Sequence, residues 1–207
     1  MKKIVLPLFV TVMAACSIIS QKAETANPSE IVNETGSFID SRDNKKYTTV
    51  TIGDQTWMSQ NLDYQCEGSF YYKNSSRNAN FYGRLYTFEA ALDACPDGWH
   101  LPSDEEWKEL EIFLGMPERI ANESDWRGTD QGKQLSVKGK QGFNVMMGGY
   151  RNIGGNFGEM GEICTFWTSS SHSDNYAWGR GFELNRDKIS RRTFGKTYGF
   201  SVRCLKD

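Results

Sequence analysis

Few side chains in this 207-residue chain could do chemistry: five cysteines, two histidines, and scattered loop acids and aromatics. His172 lies in Ser171-His172-Ser173-Asp174, the residue types of a nucleophile, a base and an orienting acid. A triad, however, needs those three side chains delivered from separate elements, so adjacent residues read as a polar loop. His100, between Trp99 and Leu101, reads as a hydrogen-bonded structural residue. No Cys-x-x-Cys occurs, so neither a redox pair nor a zinc knuckle is expected. Asp174, Asn175, Glu159 and Glu162 offer the oxygens that calcium takes, but they lie scattered in loops. No metal site and no cofactor are expected from them, and calcium is the one ion they leave open.

The remaining groups suit binding better than catalysis. Tyr71, Tyr72, Trp126, Tyr150, Phe157, Tyr176 and Trp178 fall in polar or glycine-rich stretches. Exposed rings stack on sugars or anchor protein partners. Trp126, Tyr150, Tyr176 and Trp178, with Arg151 and Arg180, are therefore the candidate ligand-binding residues. Charge is also uneven. Between residues 177 and 207, Arg180, Arg186, Lys188, Arg191, Arg192, Lys196, Arg203 and Lys206 face only Glu183, Asp187 and Asp207, which predicts a basic face.

These groups must be positioned by elements that are short. Residues 1–15 read as a signal peptide: Lys2 and Lys3 precede the apolar run Ile4–Ala15, which is too short to span a membrane. Ala14-Ala15-Cys16 resembles a bacterial lipoprotein cleavage site, with Cys16 the lipidated residue. Removing Lys2 and Lys3 takes Lys+Arg from 24 to 22 against 26 Asp+Glu, net −4, which excludes a nucleic-acid binder. Residues 16–35 are polar and without period, a flexible tether. A domain follows over 36–207.

Phe38–Asp40, the turn Arg42–Lys45 and Tyr47–Ile52 predict a hairpin, and Gly53-Asp54 turns the chain into a third strand at Thr56–Met58. Cys66 to Phe81 reads as a polar, tyrosine-rich loop. Phe88, Ala91, Leu92 and Cys95 share one face of a short helix, stopped by Pro96-Asp97-Gly98. Ser103 and Glu106 form a capping box, so a second helix begins at Asp104, buries Trp107, Leu110 and Leu114, and ends at Gly115. Gly115 to Glu162 is a long, glycine-rich region, the kind of loop that carries function. Thr165–Thr168 predicts a strand, Ala177–Leu184 and Ile189–Thr193 a hairpin, and Phe200–Leu205 a closing strand. Two short helices on small antiparallel sheets make this an α+β domain.

Several motifs carry a family resemblance: Tyr82-Gly-Arg-Leu-Tyr-Thr-Phe-Glu-Ala-Ala91, Ala94-Cys-Pro-Asp-Gly-Trp-His-Leu-Pro-Ser-Asp-Glu-Glu-Trp107 and Gly199-Phe-Ser-Val-Arg-Cys204. Ile52 to Leu62, Gly148-Gly-Tyr-Arg151 and Phe166-Trp-Thr-Ser-Ser170 fall in the same order. From about Gly36 to Asp207 the chain resembles the Fibrobacter succinogenes major paralogous domain family, whose members are mostly uncharacterised envelope proteins. Leu101-Pro-Ser-Asp-Glu-Glu-Trp107 and the terminal Gly-Phe-x-x-Arg-Cys further resemble the C-type-lectin-like fold, which formylglycine-generating enzymes also use.

That resemblance implies a Cys95–Cys204 disulfide, and Cys66–Cys164 would follow by elimination in an exported chain. It places ligand recognition in the long loop region. The Glu-Pro-Asn, Gln-Pro-Asp and Trp-Asn-Asp elements of calcium-dependent lectins are absent. Formylglycine-generating chemistry requires two reactive cysteines near the C-terminus, where only Cys204 stands. The resulting expectation is a non-catalytic lipoprotein of the cell envelope, at the outer membrane. Its loops would bind a glycan or protein at the cell surface, without nucleic acid. The alternatives are a structural envelope component or, as the remotest, an enzyme of the formylglycine-generating type.

Overall fold

In the computed structural model, which describes residues 33–207, the chain opens with the expected hairpin. Strand β1 (Thr35–Ile39) pairs antiparallel with β2 (Lys46–Ile52), and a turn at Gly53-Asp54 returns the chain as β3 (Gln55–Met58). Next come β4 (Ser69–Phe70), helix α1 (Ala79–Tyr82), β5 (Leu85–Tyr86), helix α2 (Phe88–Leu92) and β6 (Trp99–His100). Helix α3 (Asp104–Phe113) is followed by α4 (Glu118–Ala121), β7 (Asp125–Arg127) and α5 (Gln131–Leu135). A small ribbon, β8 (Tyr150–Arg151) and β9 (Phe157–Gly158), leads to β10 (Ile163–Ser171), β11 (Tyr176–Glu183), β12 (Ile189–Gly195) and β13 (Leu205–Lys206).

The strands form a five-stranded sheet in the order β1-β2-β3-β13-β6 and a four-stranded sheet in the order β10-β11-β12-β7, with ribbons β4-β5 and β8-β9 beside them. The domain is α+β, with short helices and small antiparallel sheets. Asn33 already donates to Gln141 Oε1 at 2.7 Å, and Thr35 pairs with Val50. The leader and Cys16 lie outside the described residues.

Local signals in the sequence explain α3. Ser103 Oγ accepts from the Glu106 amide at 3.2 Å and Glu106 Oε2 accepts from the Ser103 amide at 2.7 Å, completing the capping box. Trp107 and Leu110 turn inward. Trp107 meets Trp57 at 4.9 Å between ring centroids and Phe166 at 5.7 Å, at the centre of one half of the core. The other half is built on Trp167, whose indole N–H donates to the Tyr86 carbonyl at 2.8 Å. Helix α2 ends at Leu92, short of the expected stripe: Asp93 leaves helical geometry, and Cys95 sits outside, where it bonds to Cys204.

Two readings need correction. Cys66 and Cys164 are not joined: Cys164 is fully buried in the half of the core around Trp107, its thiol held by Ser201, while Cys66 packs half-buried against the other half, beside Ser69. Burial pushes the Cys164 thiol up to about 11. The basic C-terminal face is also smaller than its composition suggests. Arg180 and Arg203 are fully buried and Arg191 is 9% exposed.

Arg180 in particular is consumed by the fold. It donates through Nη1 to Asp104 Oδ1 at 2.7 Å and through Nε to Glu111 Oε1 at 2.8 Å. Arg191 grips the same Asp104 at 2.7 Å, and Arg127 the same Glu111 at 2.6 Å. Burial alone would raise the Asp104 carboxyl, but the hydrogen bond from Arg191 and the charge of Arg180 hold it below the usual carboxylate range. Asp104, Lys108 and Glu111 share one α3 face at helical spacing, so a single helix delivers both acids to the sheet.

The closing segment is buried on both sides as well. Phe200, Val202 and Cys204 pack into the core as alternation predicts. Ser201 and Arg203 are equally buried, and Arg203 donates to the carbonyls of Met58, Phe143 and Asn144 and to Asn61 Oδ1.

Candidate functional site

The six residues proposed from sequence do not converge. Arg180 is locked inside the ion network. Trp126 pairs with Ser190 and Trp178 with Thr193 on strand β12. Residues 190 and 193 point to opposite faces of a strand whose side chains alternate, so the two tryptophans lie on opposite sides of the sheet. Each is also partly covered. Arg186 lies 4.4 Å over the Trp126 ring, and Arg191 lies 3.7 Å over Trp178. Tyr176 is 50% exposed at the start of the inner strand β11, and Tyr150 with Arg151 sits apart on the β8-β9 ribbon.

A different place has the shape of a binding site. A cleft of about 560 Å³ opens where four segments meet: the start of β2, the stretch after β3, α1, and the loop around Asn144. Tyr47, Ser59, Asn61 and Asp63 form its buried floor, while Lys46, Thr48, Asn80, Phe81 and Val137 stand exposed at the rim.

Asn61 holds those segments together. Its Nδ2 donates to the carbonyls of Tyr82 at 3.0 Å and Met146 at 3.2 Å, and its Oδ1 accepts from Arg203 at 2.6 Å. Helix α1 can approach only because residue 83 is glycine. Gly83 has φ +69°, and a Cβ there would come within 2.6 Å of the Leu62 carbonyl oxygen.

The floor's polar groups are mostly engaged, in part by residues that stand above them. Lys45 Nζ meets the Asp63 carboxylate at 2.7 Å, and Thr48 Oγ1 lies 2.7 Å from Ser59 Oγ. Three groups at or near the rim are not. Gln60 accepts from the Thr48 amide at 2.9 Å, but its own N–H groups, the Asn80 amide and the Lys46 ammonium have no partner among the described residues. Phe81 rises beside them with 70% of its surface in water. Two planar amides, a cation and an exposed ring on one concavity can bind a ligand that is polar at its edges and apolar on its face.

Val137 and Met146 also line a second, more apolar groove of about 390 Å³, where Leu184 is 56% exposed.

Both histidines lie outside the cleft. His100 Nδ1 lies 2.7 Å from Asp207 and Nε2 2.9 Å from Glu106. Burial would lower its pKa, but those two carboxylates raise it above the ordinary histidine value. Ser171 Oγ donates to the Ser173 carbonyl at 2.9 Å, and His172 stands against Trp178 at 5.1 Å, so no relay forms there. Among the described residues no three His, Cys, Asp or Glu side chains gather to hold a metal ion.

A family model described as the Fibrobacter succinogenes major domain matches residues 50–206, most of the described chain. The chain belongs to that family. The matched span of this Fibrobacter succinogenes major domain takes in both sheets except β1 and the start of β2, and most of the cleft lining. No curated protein and no solved structure matches the chain.

The cleft residues Lys46, Gln60, Asn61, Asn80 and Phe81 were not picked out by sequence reasoning. The available signal was Phe81 itself, a large ring following Asn78 and Asn80 in a polar run, where helix burial would call for apolar neighbours.

Proposed function

We propose that this protein is a non-catalytic lipoprotein of the bacterial cell envelope whose domain binds a glycan in the cleft beside Phe81. A pyranose presents hydroxyls around its rim and an apolar C–H face, and the cleft offers unengaged amides around an exposed ring. That pairing is the observation that carries the reading. The expected C-type-lectin-like arrangement agrees with it in one respect: the Cys95–Cys204 bridge ties the segment after α2 to the closing strand, as that resemblance implies.

Export is supported by the Lys2-Lys3 start, the Ala14-Ala15-Cys16 boundary and the presence of a disulfide, which persists in oxidising compartments. Lipidation at Cys16 would anchor the domain at the outer membrane, facing glycans at the cell surface. Fatty-acid labelling that Cys16→Ala abolishes tests the anchor; equal labelling of both forms contradicts it. A glycan array probed with the purified domain tests the binding. The expected result is a family of related sugars, competed by one another. An array with no hits would favour the structural alternative.

A further inference from the structure

We propose that Arg151 anchors a second binding site, apart from the cleft, that takes the carboxylate of an acidic sugar. Among the described residues, each of the other arginines that is not exposed has an acceptor. Arg127, Arg180 and Arg191 have carboxylates, Arg84 lies 3.5 Å from Asp63, and Arg203 is held by carbonyls and Asn61. Arg151 is half-buried and, among the described residues, has neither an ion pair nor a side-chain hydrogen bond.

It is nevertheless held in place. Its backbone pairs with Phe157 across the ribbon, and on the other side its N–H donates to the Gly199 carbonyl at 2.9 Å. Its guanidinium lies 4.1 Å over the Phe70 ring. Glycines make the room: a Cβ at Gly199 would come within 3.0 Å of Arg151 Cβ, and one at Gly155 (φ +82°) within 3.0 Å of Nη2.

A guanidinium stacked on a ring keeps its N–H groups in its own plane, free for two parallel bonds to a carboxylate. Its surroundings then choose the carrier. Phe157 is the cross-strand neighbour of Arg151, and Tyr72 packs on Phe157 at 5.5 Å. Phe70, Arg151, Phe157 and Tyr72 thus form a row of partly exposed rings with one cation set among them. A sugar ring resting on that row brings a C–H face to the aromatics and its carboxylate to Arg151.

The test titrates the full domain with an oligogalacturonate and with the same oligomer after its carboxylates have been reduced to alcohols. The wild type should bind the acidic form at least about tenfold more tightly, the scale of losing a charge-assisted bidentate pair. Arg151→Gln should erase the preference, and Arg151→Lys should restore only part of it, since an ammonium cannot grip both oxygens.

Phe81→Ala should leave the preference intact, because the cleft is a separate site. Equal binding of the two forms by the wild type, binding of neither, or a preference that survives in Arg151→Gln would each overturn the proposal. So would loss of the preference in Phe81→Ala, which would put the carboxylate in the cleft. A short peptide with a free C-terminal carboxylate that binds more tightly than the uronate would overturn the assignment to a sugar.

Discussion

Arg180 and Arg151 show the same side chain in two regions of opposite use. Beneath α3, three guanidinium groups meet two carboxylates out of water, and their positions are set by the fold alone. Around the β8-β9 ribbon and the Phe81 cleft, other donors stand partly exposed without partners among the described residues. Taking a charge out of water costs several kcal/mol unless a partner waits for it, so the buried set specifies packing. A held but unpartnered donor contributes little to folding, so its value lies in what it meets from outside. The contrast between the two regions can be broken by experiment.

The largest effect is expected in the buried region. Glu111→Gln leaves Arg127 and Arg180 short of their shared carboxylate and should cost about 3–5 kcal/mol of stability, read as a lower urea midpoint at unchanged slope. A cost under about 1 kcal/mol would mean that water reaches these groups, and the contrast would fail. Arg151→Gln loses only its stack on Phe70 and should fall within about 1 kcal/mol of wild type in the same measurement.

Next comes the bridge, which serves both regions alike. Cys95 and Cys204 are 109 residues apart, and replacing both with alanine should cost about 2–5 kcal/mol. Binding by the fraction that remains folded should be unchanged. A variant that keeps its stability but loses binding would show that the bridge shapes the site and not the fold.

The smallest effect belongs to His100, which sits between the two acids Glu106 and Asp207 at partial exposure. Its folded pKa is raised, so its stabilisation is complete below the ordinary value of about 6.5 and is lost as pH rises through the folded value. Melting temperatures followed upward from pH 6 should decline slightly in the wild type and not in His100→Gln. Parallel profiles for the two would remove the ion pairs from the account.

The legible parts of the fold were those written locally. Ser103 and Glu106 are three residues apart, and a capping box needs nothing else; the β1-β2 and β11-β12 hairpins likewise announce themselves by alternation around a turn. Arg180 reads from sequence as a surface ligand because its burial depends on Asp104 and Glu111, some 70 residues earlier in the chain. Trp126 and Trp178 were grouped because both stand in polar stretches, yet their strand registers put them on opposite faces. Cys66 and Cys164 were paired by counting, and counting takes no account of distance. The cleft escaped notice because its lining runs from Lys45 to Met146, and no stretch of sequence contains more than a corner of it.

Phe81 is the residue on which the cleft's role as a binding site turns. Melting temperature and affinity for the tightest array sugar should be measured together for the wild type and Phe81→Ala. An exposed platform lost to alanine should leave melting unchanged within about 0.5 kcal/mol of stability and weaken binding at least about tenfold. Earlier melting with unaltered affinity in the folded fraction would contradict the account, because Phe81 would then be part of the scaffold and the cleft would not be the site.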